Sequence, residues 1–563
     1  MIRARSYSDL ILPPYNIPAG MGAAIIIRVA HWLRIPGLTV LAFLLATPVQ
    51  ATSPLYDGPT PQLPCDSQSL PETGAQGRVP KAEVDNGRAA KGYTCNTALV
   101  GQQGNTGGFR VERYIDAAGH ECAFYDSTLL FPTNLKNGAN SEIGVYVLDM
   151  TDHSHPVFTT NLTTPAMLSP HESLRLNQKR GLLVADMGYP TFNPGFVDVY
   201  DVSKDCRHPV FDSSTPLGIL GHESAFSPDG TVFYVSSTGG HTLAAVDLTN
   251  PKVPGLLWFT VNYSPHGMSV SDDGKRLYIA DTGLPGLIIL DVSGVNAHQL
   301  NPTVPVVSKL SWPEVSIPQN AIPFSEKGHP YLAEVDEYTS MNGGYNPSAS
   351  VGAARIIDIQ DDSRPFVVSN MRLVVNQTTA RAGDQQNDYG AQSPLQGYAG
   401  HYCNVPTEVD PKYVACSFIM SGLRVFNIED LTHPYEMAYF NAPSTPAAPA
   451  YVGVNGGNFA MSAPTFDTSR NEIWYSDGFW GFYVVKLTPG AFSHATPHPA
   501  NMDPVAANLP NSTGGLPNTA GRPPVAPALL IATAALCAGG GLILLLGWTR
   551  RRLRGSTGFF GRV

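Results

Sequence analysis

Charged residues are scarce in this chain of 563 residues: Asp, Glu, Lys and Arg make up 14%, and the formal net charge is -10. No basic stripe interleaved with aromatics runs through the body, so the electrostatic footprint of a nucleic-acid binder is missing. A Gly-x-Ser-x-Gly elbow, a phosphate-cradling glycine loop and a His-Glu-x-x-His helix are also absent, which leaves the common serine hydrolase, nucleotide and zinc-peptidase chemistries without their residues. Helix-rich architecture has little support, because 54 Gly and 49 Pro punctuate the chain as many-turned β proteins require.

What is present is repetition. His-Glu-Cys at 120–122, His-Glu-Ser at 171–173 and His-Glu-Ser at 222–224 recur at intervals of about fifty residues, and His266-Gly267-Met268 and His401-Tyr402-Cys403 take similar places further on. Residues 222–254 show the unit most clearly. His222 opens it, Pro228-Asp229-Gly230 turns it, Val232–Ser236 and Leu243–Asp247 read as strands, and Pro251 and Pro254 follow.

The third strand is the easiest to count: Val145–Asp149, Val197–Asp201, Leu243–Asp247, Leu287–Asp291, Arg355–Asp358, Arg424–Asn427 and Phe482–Lys486. Seven such units predict an all-β fold, a seven-bladed β-propeller of four-stranded antiparallel blades. The last unit lacks an obvious fourth strand, which Tyr93–Val100 can supply, closing the ring and removing a free sheet edge. The Asp that ends each third strand is expected to accept backbone N–H bonds in the turn that follows.

These strands, three apolar residues and an Asp followed by proline turns, resemble the LVIVD-repeat family of bacterial cell-surface β-propellers over residues 93–488. The resemblance implies the propeller fold and a place at the cell surface, and no settled reaction. Asn427 and Lys486 depart from it in the last two units.

The flanks set the destination. Arg34, the apolar run Ile35–Ala46 and Val49-Gln50-Ala51 read as a secretory signal within residues 1–51, with initiation at Met21 a better fit than at Met1. Residues 52–92 form an N-terminal extension, 489–525 a Pro/Asn/Gly-rich stalk, 526–548 an apolar membrane-spanning helix, and 549–563 a basic tail that the positive-inside rule keeps in the cytoplasm. Leu516-Pro517-Asn518-Thr519-Ala520-Gly521 before the span resembles a sortase LPxTG-type sorting signal, with Ala520 where that pattern has Gly. The body is therefore expected outside the cell, held by the helix as a single-pass membrane anchor or by sortase attachment to the cell wall.

An exported body permits disulfides. Cys403 and Cys416 lie symmetrically about Val409-Asp410 and are expected to face each other across a hairpin, while the pairing of Cys65, Cys95, Cys122 and Cys206 stays open.

The histidines carry the chemistry, if any is present. His120, His171, His222, His266 and His401 are expected to open the innermost strand of five blades and point at the central axis, with Gln319 or Asn320 and Asn458 in the other two places. Converging imidazoles suit a transition metal such as copper, iron or zinc. Carotenoid oxygenases and nitrous oxide reductase hold metals on propellers in this general manner, a comparison of geometry and not of motif. Glu121, Glu172 and Glu223 are expected to face away, since neighbours along a strand point to opposite sides. The acidic group Glu334, Asp336 and Glu337 is a second, weaker cation site. Duplication alone also makes a residue recur, so three readings stand: a binding module for an unknown protein or small-molecule ligand, using the channel mouth and the polar 376–400 insertion, an extracytoplasmic metal-dependent enzyme, an oxidoreductase among the options, or a purely structural envelope protein with no ligand.

Overall fold

The structure, a computed structural model, describes residues 58–127, 143–188, 193–237, 239–313, 315–338, 351–377, 380, 386–392, 397–446 and 457–502. The signal segment, the sorting motif Leu516–Gly521 and the apolar run Ala526–Trp548 lie outside these residues. Among the described residues no helix is long and apolar enough to cross a membrane.

The apolar runs form strands because both of their faces are buried. Leu182 and Val184 of one strand pack towards Phe233 and Val235, while Leu183 and Ala185 pack the other way against Cys122, Phe124 and Val147. Such a strand shows no polar alternation, since each face meets a neighbouring sheet. Seven antiparallel sheets are stacked in this way, with an apolar cluster between each successive pair. The fold is a seven-bladed β-propeller.

The innermost strands of blades 1 to 7 are Val111–Ile115, Arg175–Asn177, Ser224–Phe226, Pro265–Val270, Ile317–Glu326, Gly400–Asn404 and Thr465–Asp467. All seven expected third strands are present, and the turn chemistry follows expectation. Asp149, Asp201, Asp247, Asp291 and Asp358 each accept a backbone N–H two residues on, at 2.7–3.0 Å, and Asn427 does the same in blade 6.

The N-terminal side closes the ring twice over. Thr97–Gln103 pairs with Gly481–Leu487 as the fourth strand of blade 7, and Tyr93–Cys95 adds a fifth strand to blade 6 beside Tyr435–Asn441. Cys65–Cys95 fastens the preceding segment, Cys122–Cys206 ties blade 1 to blade 2, and Cys403–Cys416 forms the expected cross-strand bridge with Cα atoms 4.0 Å apart.

The extension from residue 58 is woven into the body. The Gln62 and Gln76 side-chain amides donate to Glu436, and Glu72 pairs with the buried Arg424. Residues 489–502, expected as the start of a stalk, run back over this segment: Gln62 bridges to His498, and the Asn501 N–H donates to Gln62 Oε1 at 3.0 Å. Their polar backbone finds partners on the protein.

Candidate metal centre

Four of the five singled-out histidines meet at the axis. His171 and His222 precede the inner strands of blades 2 and 3, while His266 and His401 lie within those of blades 4 and 6. The His171 and His222 rings are 4.6 Å apart and those of His222 and His266 5.0 Å. Phe109, from blade 1, packs on His171 at 4.2 Å and His401 at 5.4 Å, closing the remaining arc.

His120 does not join them. The inner strand of blade 1 begins at Val111, and His120 stands in the turn before the second strand, Glu121–Asp126. Its Nδ1 meets Asp116 Oδ2 at 2.9 Å and Asp205 Oδ1 at 3.6 Å, beside the Cys122–Cys206 bridge. The recurrence of His-Glu there is one strand out of register with the other copies.

Two carboxylates enter the cluster: Glu172, against the expectation that it faces away, and Glu337, from the acidic group expected as a separate cation site. Glu172 Oε2 is 3.3 Å from His222 Nε2 and 3.4 Å from His266 Nε2, and its Oε1 is 3.3 Å from His401 Nε2 and 3.8 Å from His171 Nε2. Strand alternation does not govern His171-Glu172, because the pair precedes the strand and His171 takes a left-handed φ of 53°. Gly188 allows this packing: a Cβ there would collide with the Pro170 and His222 carbonyls and with His171 Cβ.

Glu337 supplies the second carboxylate from the end of the second strand of blade 5. It lies 3.5 Å from His266 Nε2 and 3.2 Å from His401 Nε2. The other members of its acidic group are spent elsewhere, since Glu334 and Asp336 both pair with the buried Arg355. Glu121 pairs with Arg113 and His153, and Glu223 with Arg110 and Arg175, so these two carboxylates do stay off the cage.

The imidazoles are oriented for a ligand role. His266 Nδ1 donates to the Pro318 carbonyl at 3.0 Å and His401 Nδ1 to the Met461 carbonyl at 2.7 Å, which holds a proton on Nδ1 and turns Nε2 towards the axis. Buried His222 Nε2, His401 Nε2 and Glu172 Oε2 face one another without the alignment of hydrogen bonds. Ligand atoms of the cluster form two overlapping trios, His171-Glu172-His222 and Glu172-Glu337-His401, in each of which the atoms lie within 4.8 Å of one another, and Glu172 belongs to both.

Charge agrees with this geometry. Burial pulls His266 and His401 down, but Glu337 and Glu172 outweigh it and push both up to about 9. Burial raises the Glu172 carboxyl, yet the His171, His222 and His266 imidazoles hold it well below the usual range. Both imidazoles thus favour the protonated form beside these carboxylates, and a cation that displaced their protons would meet the same negative surroundings. The donor set is nitrogen and oxygen with no thiolate, which suits iron, zinc, copper or manganese. His222 is the least buried of the four, with 16% of its side chain exposed against 1% for His401, while its Nε2 is buried with the others.

Beneath the cage Glu223 is bonded by Arg110 and Arg175 and by the Asn320 amide at 2.8 Å, while Arg110 donates to the Glu172 carbonyl at 2.9 Å. Gly267 fits here because a Cβ would strike both the Glu223 carboxylate and the Gln319 carbonyl. Asn320 therefore faces this lower layer, and Asn458 bonds to Asn441 in the wall, so neither joins the ligands. Serial position in the repeat pointed to the histidines, but no local pattern marked Glu337 apart from Glu334 and Asp336.

No family model and no curated protein matches the chain. Among solved structures, hydrazine synthase of Kuenenia stuttgartiensis aligns at TM-score 0.44 and 12% identity over 68% of this chain and 97% of that one. A periplasmic gluconolactonase of Pseudomonas aeruginosa aligns at 0.39 and 13% over 62% and 94%. Likeness at this level carries no argument about activity, which leaves the axial cluster itself as the guide to function.

Proposed function

We propose that this chain is an exported, metal-dependent propeller protein in which His171, His222, His266, His401 and Glu172 hold one transition-metal ion at the axis, with Glu337 completing the negative charge. The observation that carries the reading is the approach of four Nε2 atoms to one carboxylate at 3.3–3.8 Å, from blades 2, 3, 4 and 6. Four neutral imidazoles and a carboxylate around an ion would suit an oxidoreductase or a Lewis-acid catalyst acting on a small molecule. The three disulfides fit an oxidising compartment, and the tail of residues 526–563 fits attachment to the membrane or wall.

A recognition role for the 376–400 insertion has less support. Its described residues are engaged by the body: Asp388 takes Arg78 and the Lys81 N–H, Tyr398 bonds to Val79, and the Asn376 amide donates to the Tyr398 carbonyl. Metal analysis of the purified secreted body tests the proposal. About one ion per chain that resists dialysis is expected, and less than a tenth of an ion after loading with iron, zinc, copper and manganese in turn would reject it.

A further inference from the structure

Gln319 is fully buried, and neither its amide nitrogen nor its amide oxygen has a hydrogen-bond partner. Leaving such a group unpaired costs about 1–3 kcal/mol, and native interiors contain few of them. Its place in the blade gives the reason. In blade 5 the pairing passes from Pro318↔Asp336 to Asn320↔Val335, so Gln319 is the extra residue of a β-bulge. In blade 6 it passes from Gly400↔Phe418 to Tyr402↔Ser417, and the extra residue is His401. In blade 4 His266 and Gly267 occupy the corresponding interval between Pro265↔Asp281 and Met268↔Ile279.

The same bulge thus presents His266, Gln319 and His401 in three consecutive blades. The two histidines reach Glu337 from either side, and Gln319 stands between them in ring order. Beside imidazole an amide is a weak ligand for a transition metal, but it combines a donor and an acceptor on one rigid plane.

We propose that Gln319 is the recognition residue for a small oxygen- or nitrogen-donor molecule bound to the axial metal, of the size of azide, peroxide or water. This rests on the metal reading above. The amide N–H donates to the bound molecule, or its carbonyl accepts a proton that the molecule carries, so the unpaired atoms gain their partner only when metal and ligand are both in place. Binding of a small anion is then expected to depend on Gln319, while binding of the metal does not.

The test uses the whole secreted body loaded with cobalt(II), with azide as probe and the ligand-field bands as signal. Gln319→Leu, similar in size, is expected to bind one cobalt with the wild-type spectrum, to melt no lower than wild type, and to weaken azide by at least tenfold. Should the branched side chain prevent folding, Gln319→Met carries the same comparison. Equal azide affinity in wild type and variant overturns the inference and leaves the metal reading intact. Loss of cobalt from a folded Gln319 variant also overturns it, because Gln319 would then be a metal ligand. Failure of the wild-type protein to take up cobalt defeats the metal reading first, and this inference with it.

Discussion

His401 Nε2 lies 3.2 Å from a Glu337 oxygen although the two residues belong to neighbouring blades and are 64 positions apart (401 − 337). That approach joins blade 5 to the histidine ring and makes the cluster a product of the closed circle. It also separates residues that share the axial cluster from residues that only resemble them in sequence.

Glu172 is the sharpest case. Glu172→Gln keeps the shape of the side chain but removes the charge that all four imidazoles face, and metal affinity is expected to fall at least a hundredfold by competition with a chelator. Replacing an orienting residue usually costs about 10–100-fold, so a ligand should exceed that range. Glu121→Gln, in the His-Glu-Cys tripeptide one copy earlier, is expected to leave affinity unchanged.

His120→Ala is expected to leave the metal content of the protein unchanged, whereas His222→Ala and His401→Ala remove most of it. Elemental analysis of the three purified variants checks this. Equal losses in all three would mean that the axial ring is not the site.

His153 gives a pH dependence at the seam between blades 1 and 7. Its Nδ1 meets Glu472 Oε2 at 2.5 Å and its Nε2 meets Glu121 Oε2 at 3.0 Å. Burial lowers its pKa, but the hydrogen bonds to Glu121 and Glu472 outweigh that and raise it above 6.5. The folded state therefore binds this proton more tightly than the unfolded chain. The stabilisation is complete below about pH 6.5 and is lost as pH rises through the raised value. His153→Gln should accordingly destabilise most near pH 5.5 and least in alkali, read from urea midpoints; a difference independent of pH would rule out the ion-pair account.

Arg355 is buried with Glu334 and Asp336 on one side and the Trp312 ring 4.3 Å from its guanidinium. Arg355→Met leaves two buried carboxylates without their cation, and about 3–5 kcal/mol of stability is expected to go. The double variant Arg355→Met, Glu334→Leu should recover part of it in a chemical unfolding cycle.

Cys122–Cys206 spans 84 residues and Cys403–Cys416 spans 13. On the chain-entropy account the first contributes about 4–5 kcal/mol and the second about 3. Paired Cys→Ala variants compared by denaturant unfolding check the order, and a larger loss at Cys403–Cys416 would show that strain or packing outweighs loop closure.

The chain by itself determined the propeller. Runs such as Val145–Asp149 and Leu287–Asp291, apolar on both faces and closed by an Asp turn, can be buried only between two other sheets, and seven of them suffice to close a ring. The Cys403–Cys416 bridge was also legible, because hairpin register is a local property. The site was legible only in part. His171, His222, His266 and His401 recur in sequence because they recur in the blade, whereas His120 stands apart from the axis beside Asp116 and Asp205, its blade opening nine residues before it, at Val111 (120 − 111). Glu172 enters because the left-handed turn at His171 overrides strand alternation, Glu337 because its strand ends beside His266 and His401, and a one-residue bulge takes Gln319 out of the regular pairing. At Glu172 and Gln319 the departure is a backbone irregularity of one residue, and at Glu337 it is the point where the strand stops. Periodic patterns record the regular part of a strand, and it is tertiary packing around the closed ring that decides where the regularity breaks.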